Sequence, residues 1–552
     1  MDATVSDSPQ ELNIERIDRI SELPESIIHH IYSFLPTKDT AITTLLSKSW
    51  GSKWASYPNL DLDQSLFGKE LEIFGFHREN PTENRQKRVR KEKFIKFICV
   101  QKFKLYISIH ELKHISLVKK WIRLAMKRSV REVKVHTPMP PFLIRIHTLP
   151  QEIFACKSVT VLKLCCCDLR GLLYKAKGAI KLPSLHNLSL NQVFVDEFTV
   201  KVLLLSCPLI ARFCFRNCKG DFNDLFVAGL ENLKILKLIM PKSGFEELER
   251  VTIVAPSLQS LTISGDAVMI KAHKSQELKS LTLKGVDMVT DELFHNLMSE
   301  HPLLETLQLD HYMVTDELFH NLMSEHPLFE TLQLDHCKML ERIKISSHRL
   351  KSLTIRDCLY LEHCEIVTPN LLSFEYDGNL SAFCGGFIYA PCQWKVKLEL
   401  DCDILWLCDL ESLVQGKRFK DLTLSISSEE ISSYYDDDEK KPLAISPCCE
   451  VEHLSLGTDA SQSSYKAIIE GLFSICQPKI LSVASTIKSA NKFIRDVKIE
   501  RVKRAKEDDP QCLALLKQRP LQWDTLLNAL PKLGGGHVYF ALNWSTQALY
   551  QS

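Results

Sequence analysis

From Ile17 to about Leu62 the apolar positions follow a helical beat. Ile27, Ile28, Ile31, Phe34 and Leu35 recur three or four residues apart, the spacing of one helix face. Pro24 suits the first position of that helix and Pro36 ends it. Thr37 is placed to cap a second helix carrying Ile42, Leu45 and Leu46, and Ser47 to cap a third carrying Trp50 and Trp54. An inward face made of Ile20, Ile31, Leu35, Leu45 and Trp54 leaves Leu23, Pro24, Ile28 and Leu46 partly outside. That is more apolar surface than so small a module can hide.

Beyond residue 130 the beat changes to alternation. Leu185-His-Asn-Leu-Ser-Leu190, Leu258-Gln-Ser-Leu-Thr-Ile263, Leu278-Lys-Ser-Leu-Thr-Leu283 and Leu350-Lys-Ser-Leu-Thr-Ile355 each describe a short strand with one apolar face. The most regular feature is a duplication. Residues 288–311 return 25 residues later as 313–336, and Leu304 against Phe329 is the single difference over 24 positions. Within a copy, Thr290 can cap a helix with Leu293, Phe294, Leu297 and Met298 on one face. His301-Pro302 ends that helix, and Leu304, Leu307 and Leu309 form an inward strand face. Such a unit cannot bury its own apolar side, but stacked units can, and a period in this range is that of leucine-rich repeats. Spacings from about 10 to 25 residues predict an irregular array in which the short units turn without a helix. In a horseshoe the strands line the concave face. The residues alternating with the core there are Lys163, Ser189, Lys237, Thr262, Thr282, Gln308, Gln333, Lys344 and Thr354, a mixed polar surface that suits a protein or a small polar ligand better than a lipid, with a protein target expected.

The string Asp18-Arg-Ile-Ser-Glu-Leu-Pro24, followed by Ile31–Leu35 and Leu46-Ser-Lys-Ser-Trp50, closely resembles an F-box of the kind that opens plant F-box proteins with leucine-rich repeats. Ile28, and Thr43 with Thr44, are mild departures. The resemblance implies docking on the Skp-type adaptor of a cullin-based ubiquitin ligase, with Leu23, Pro24, Ile28, Ile31 and Leu46 as the candidate contacts. After residue 457 the leucine rhythm fades, and the tail, with Gly534-Gly-Gly536 before a strand-like His537–Ala541, resembles the FBD tail of such proteins. The expected fold is thus α/β: a polar N-terminus (1–16), a three-helix F-box (17–62), a linker and solenoid cap (63–129), an irregular leucine-rich solenoid or horseshoe (130–460), and an α+β cap resembling an FBD domain (461–552).

Other chemistry changes this picture little. His110-Glu111-Leu-Lys-His114 matches the H-E-x-x-H zinc motif, but Phe103–Ile109 before it alternates like a strand, and no third ligand follows clearly. The basic run Arg85–Lys91 reads as a solvated face or loop, a nuclear signal or a phosphate-binding patch, and the absence of interleaved aromatics argues against nucleic acid. Basic and acidic residues nearly cancel, 69 against 68. The 19 cysteines contain no C-x-x-C pair, so the triplet Cys165–Cys167 reads as buried thiols in a reducing compartment, with no metal and no cofactor. No secretory signal and no membrane span are expected, which leaves nucleus and/or cytoplasm. These readings describe the substrate-recognition subunit of a Skp–cullin–F-box ligase that performs no bond chemistry itself. The alternatives are a leucine-rich scaffold outside any ligase, and a zinc metallohydrolase built on His110, Glu111 and His114.

Overall fold

The computed structural model describes residues 20–63, 100–108, 112–138, 148–170, 180–220, 223–240, 250–265, 269–273, 275–285, 300–310 and 314–378, most of 380–485, and 537–541. They fall into two compact units. The first runs to Phe222 and includes Gly229–Leu233; the second comprises Asn223–Ala228 and the chain from Lys234 on.

The first unit opens with three helices, α1 (Glu25–Ser33), α2 (Thr37–Ile42) and α3 (Lys48–Ala55). Their core is aromatic. Tyr32 is fully buried, with its ring 5.7 Å from that of Trp50 and 5.3 Å from that of Tyr57. The indole N–H of Trp54 donates to Thr40 Oγ1 at 3.2 Å, so no buried polar atom of that ring is stranded. Ser47 caps α3 as expected, accepting from the Trp50 amide at 3.2 Å. Thr37 does not cap α2. It is the first helical residue, and its hydroxyl instead accepts from the amide of Asp61 at 3.1 Å, which ties the helices to the strand that follows.

That strand, β1 (Asn59–Asp63), starts a parallel ladder well before the leucine rhythm becomes visible. It continues through β2 (Lys102–Tyr106), β3 (Glu132–His136), β4 (Val161–Cys165), β5 (Asn187–Asn191) and β6 (Arg212–Arg216). Helices α4 (Leu112–Met126) and α5 (Glu197–Leu205) lie between β2 and β3 and between β5 and β6. A parallel ladder needs such crossovers. Asp196 caps α5, accepting from Thr199 N at 2.7 Å.

The second unit repeats the design on a larger scale. It contains β7 (Asp224–Ala228), β8 (Ile235–Ile239), β9 (Arg250–Val254), β10 (Ser260–Ser264), β11 (Met269–His273), β12 (Ser280–Lys284), β13 (Thr306–Asp310) and helix α6 (Asp316–Glu325). Then follow β14 (Thr331–Asp335), β15 (Arg342–Ser346), β16 (Ser352–Arg356), β17 (His363–Val367), β18 (Ser373–Asp377), β19 (Ile388–Tyr389), β20 (Trp394–Asp401) and helix α7 (Trp406–Val414). Last come β21 (Arg418–Ser427), β22 (Cys449–Thr458), β23 (Cys476–Ser485) and β24 (His537–Ala541). The main ladder joins β8, β10, β12, β13, β14, β16, β18, β20, β21, β22 and β23, all parallel. Return segments form two further ladders, β7–β9–β11 and β15–β17–β19. Strand starts at Thr331, Ser352 and Ser373 give 21-residue coils that turn without a helix, as the short spacings predict. The ladder outlasts the leucine rhythm by one strand. Its edge is then met by antiparallel β24, at the residues expected to be strand-like, which occupies backbone groups that would otherwise template another chain.

The duplicated segment is one coil. β13 and β14 pair with Leu307 opposite Leu332 and Gln308 opposite Gln333, so the 25-residue period is the step from one rung to the next. In the second copy Thr315 caps α6, accepting from Leu318 N at 3.2 Å, and Leu318, Phe319 and Leu322 are buried. Thr290 and the first-copy helix positions lie outside the described residues. The His-Pro pair does more than end a helix. His301 is fully buried with its Nδ1 3.0 Å from the Ser275 carbonyl oxygen, and burial lowers its pKa.

A device absent from the sequence reading recurs at the strand exits. Cys166, Gln192, Gly265, Gly285, His336, Asp357 and Gly378 each follow a strand with a positive φ, and each N–H donates to a carbonyl of the next rung, that of its last residue in every case but Gly378, which reaches Glu399. Glycine is required at one of them. At Gly265 (φ +133°) an added Cβ would sit 2.5 Å from the Met240 Cβ, whereas at Gly285 (φ +60°) nothing lies within 4 Å. Gly265→Ala is expected to cost about 3 kcal/mol by urea denaturation, and Gly285→Ala about 1 kcal/mol, the left-handed penalty alone. Equal costs would refute the close approach to Met240.

Candidate functional site

Two surfaces stand out, and the first lies on the three-helix module. Ile20, Ile27, Phe34, Leu35, Ile42, Leu45 and Leu46 are all exposed large apolar side chains, Leu45 at 83% and Leu46 at 68%. Ile27, half-buried Ile31, Phe34 and Leu35 run along one side of α1. Hydrogen bonds tie the segment around residues 42–47 to α1 and to the turn before it: Ser21 Oγ to Ser47 Oγ at 3.2 Å, and Thr43 Oγ1 donating to the Tyr32 hydroxyl at 3.1 Å. Lys53 Nζ, donating to the carbonyls of Ser21 at 2.6 Å and Leu23 at 2.9 Å, pins the turn that presents Ile20.

This corrects the inward assignment made from sequence. Ile20, Leu35 and Leu45 face outward, and the expected contact residue Ile28 is fully buried beside Tyr32, so it is core. Of the other expected contacts, Pro24 and Leu46 are exposed, while Leu23 and Ile31 are half-buried at the rim. The aromatic core explains the inversion. Tyr32, Trp50, Trp54 and Tyr57 fill the centre, so the aliphatics that periodicity assigns inward have no room there.

The second surface is the polar face of the ladders. In the first unit, register aligns Asp61, Lys104, Lys134, Lys163 and Ser189 across consecutive rungs. Lys104 pairs with Asp61 at 3.1 Å and Lys134 with Glu132 at 2.7 Å. Burial alone would raise the Glu132 carboxyl, but the hydrogen bond from Lys134 and the charges of Lys134, Lys102 and Lys163 outweigh it and hold the carboxyl low. In the second unit the row runs Lys237, Thr262, Thr282, Gln308, Gln333, Thr354, Glu375 and Lys397. Lys344 does not belong to it. It lies on β15 in the return ladder, paired with Glu365 at 3.0 Å. The L-x-x-I-x-I pattern reads the same on either ladder, so sequence alone does not separate them. Lys104 and Lys134 escaped the sequence reading, although the alternation of Phe103 with Leu105 and of Val133 with Val135 carries the signal.

This second row centres on a charge network. Buried Asp335 accepts from Gln333 at 2.7 Å and Gln308 at 3.4 Å, and lies 3.7 Å from Arg356. Arg356 reaches Glu375 at 2.8 Å, and Lys397 reaches both Glu375 and Glu399 at 2.5 Å. Burial pushes the Glu375 carboxyl up, but hydrogen bonds and charge from Lys397 and Arg356 push it down by more. The result is a preorganised polar surface able to recognise a partner's side chains. Of the zinc motif, His110 and Glu111 lie outside the described residues, as does the basic run Arg85–Lys91. Among the described residues no helix is long and apolar enough to cross a membrane.

Comparison with known proteins agrees with this layout. Residues 20–61 match the F-box domain model, and residues 118–279 match the leucine-rich repeats of FBD-associated F-box protein At5g56370. Residues 298–388 match the leucine-rich domain of At1g61320/AtMIF1. The chain thus carries an F-box followed by leucine-rich repeats. It is similar to Arabidopsis thaliana proteins with this domain order. FBD-associated F-box protein At3g52670 is 28% identical over 260 residues (45% of this chain, 55% of that one), and putative F-box/LRR-repeat protein At4g00320 is 30% identical over 266 residues (44% and 50%). The chain thus spans about half the length of the curated relatives it matches. Among solved structures, the TLR13–ssRNA13 complex aligns over 69% of this chain and 59% of that one at 12% identity, with a TM-score of 0.33.

Proposed function

We propose that this protein is the substrate receptor of a Skp–cullin–F-box ubiquitin ligase. The observation that carries the reading is the apolar face of the F-box. Seven large apolar side chains are exposed on a module whose own core is already filled by Tyr32, Trp50, Trp54 and Tyr57. An exposed apolar face of this kind marks a partner surface, and an adaptor of the Skp type would cover it. The polar rows of the ladders suit a protein target, held by hydrogen bonds and paired charges. The receptor's contribution to ubiquitin transfer is proximity: one surface holds the ligase, the other holds the target, and the local concentration of target lysines rises.

The test is reconstitution of the purified full chain with a Skp-type adaptor and cullin. A one-to-one complex with the adaptor by size-exclusion chromatography with light scattering is expected. A folded chain that leaves the adaptor free at micromolar concentration overturns the reading and leaves a leucine-rich scaffold.

A further inference from the structure

We propose that His136, Cys165 and Cys166 form a three-ligand site for a thiophilic d¹⁰ cation, zinc in the first instance, independent of any role in a ligase. Sequence reading treats Cys165–Cys167 as buried thiols. That holds for Cys167, which is fully buried, and in burial for Cys166, but Cys165 is only half-buried. Cys165 ends β4 on the polar face, directly opposite His136 in the register of β3. Cys166 would point into the core if the strand continued. Its φ of +58° turns the chain out of alternation and returns the thiol to the same side. The two sulfurs lie 3.5 Å apart, and one ligand atom from each of the three residues falls within 4.8 Å of the others.

These distances suit one ion. Two Zn–S bonds of about 2.3 Å at a tetrahedral angle place the sulfurs about 3.8 Å apart, so a shift of a few tenths of an ångström completes the geometry. Two soft thiolates with one imidazole are a donor set for zinc or copper(I), not for calcium or magnesium. Neighbours hold the donors in place. The Tyr106 ring packs edge-on against His136 at 4.5 Å, and Asn191 Nδ2 donates to Cys165 Sγ at 3.5 Å, a bond that a thiolate can keep. Such surrounding contacts tune a metal site. Three protein ligands leave a fourth position open. His136 and Cys165 are only half-buried, so the ion would be reachable from the polar face.

The full chain, reduced and stripped with chelator, should take up one cobalt(II) or zinc(II) ion that resists a weak chelator. The cobalt form should show thiolate-to-metal charge transfer. Cys165→Ser with Cys166→Ser, and separately His136→Ala, should weaken binding by at least about tenfold, while Cys214→Ser two rungs further on should not. In the unmodified chain, zinc should slow alkylation of Cys165 and Cys166 relative to Cys214, read by peptide mass spectrometry, so the answer does not depend on the variants folding. Metal uptake unchanged by the double substitution, or no protection of these two thiols, overturns the proposal.

Discussion

Leu45→Asp combined with Leu46→Asp is expected to weaken adaptor binding by at least about 100-fold while moving the melting temperature by no more than about 2 °C. Both side chains stand on the surface of the F-box and contribute little to its core, so charging them costs little in the free protein. In a complex the same carboxylates would be buried against an apolar partner without counter-charges, which costs several kcal/mol. The matched control is Ile28→Asp. That side chain is fully enclosed beside Tyr32, and a charge there should unfold the helical module outright. Calorimetric titration with the adaptor, alongside thermal melts, separates the two results. Wild-type affinity in the Leu45/Leu46 variant would move the docking surface elsewhere.

Excision of residues 312–336 should give a folded, cooperative protein, whereas excision of 313–325 should not. The longer cut removes a whole coil and leaves His311 joined to Cys337, the junction already present after the second copy. β13 then meets β16 in the register that β14 held, with Asp310 taking the place of Asp335 opposite Arg356. In a quasi-one-dimensional stack this removes one unit and one interface, and the m-value should fall in proportion to the surface lost. The shorter cut removes α6 but keeps β14. It leaves His311, Tyr312 and residues 326–330 to cross between parallel strands, a connection that takes about a dozen residues or more. Urea denaturation followed by circular dichroism decides it. Failure of the longer excision to fold cooperatively would mean that the rungs are not interchangeable.

Much of this architecture could be read from the chain alone. The three helices, the Ser47 cap, the strand cores and the outward row from Lys237 to Thr354 apart from Lys344 follow from periodicity, because a packed stripe must repeat at the pitch of its element. What could not be read depends on competition between residues. Nothing in the spacing tells that Tyr32 excludes Leu35 and Leu45 from the core of the F-box. Nor does any spacing mark Cys166 as the residue that leaves the strand left-handed, since cysteine, glutamine, histidine and aspartate all fill that role here alongside glycine. The backbone carbonyl waiting on the next rung selects the conformation, and that partner is more than 20 residues away in sequence at Cys166, Gln192 and Gly285.

The pairing of β1 with β2 has a mechanical meaning. The strand that leaves the F-box helices is itself the first rung of the ladder, locked to α2 through Thr37 and to β2 along its length. The exposed apolar face of the F-box is thus joined through β1 to the ladder that carries the lysine row of the first unit. A tethered receptor would let its cargo sweep a sphere and expose many lysines in turn. A cargo seated on Lys104, Lys134 and Lys163 would instead ride on a fixed arm, presenting the same side to the ligase each time. Which of its lysines receives ubiquitin would then be a matter of orientation at capture.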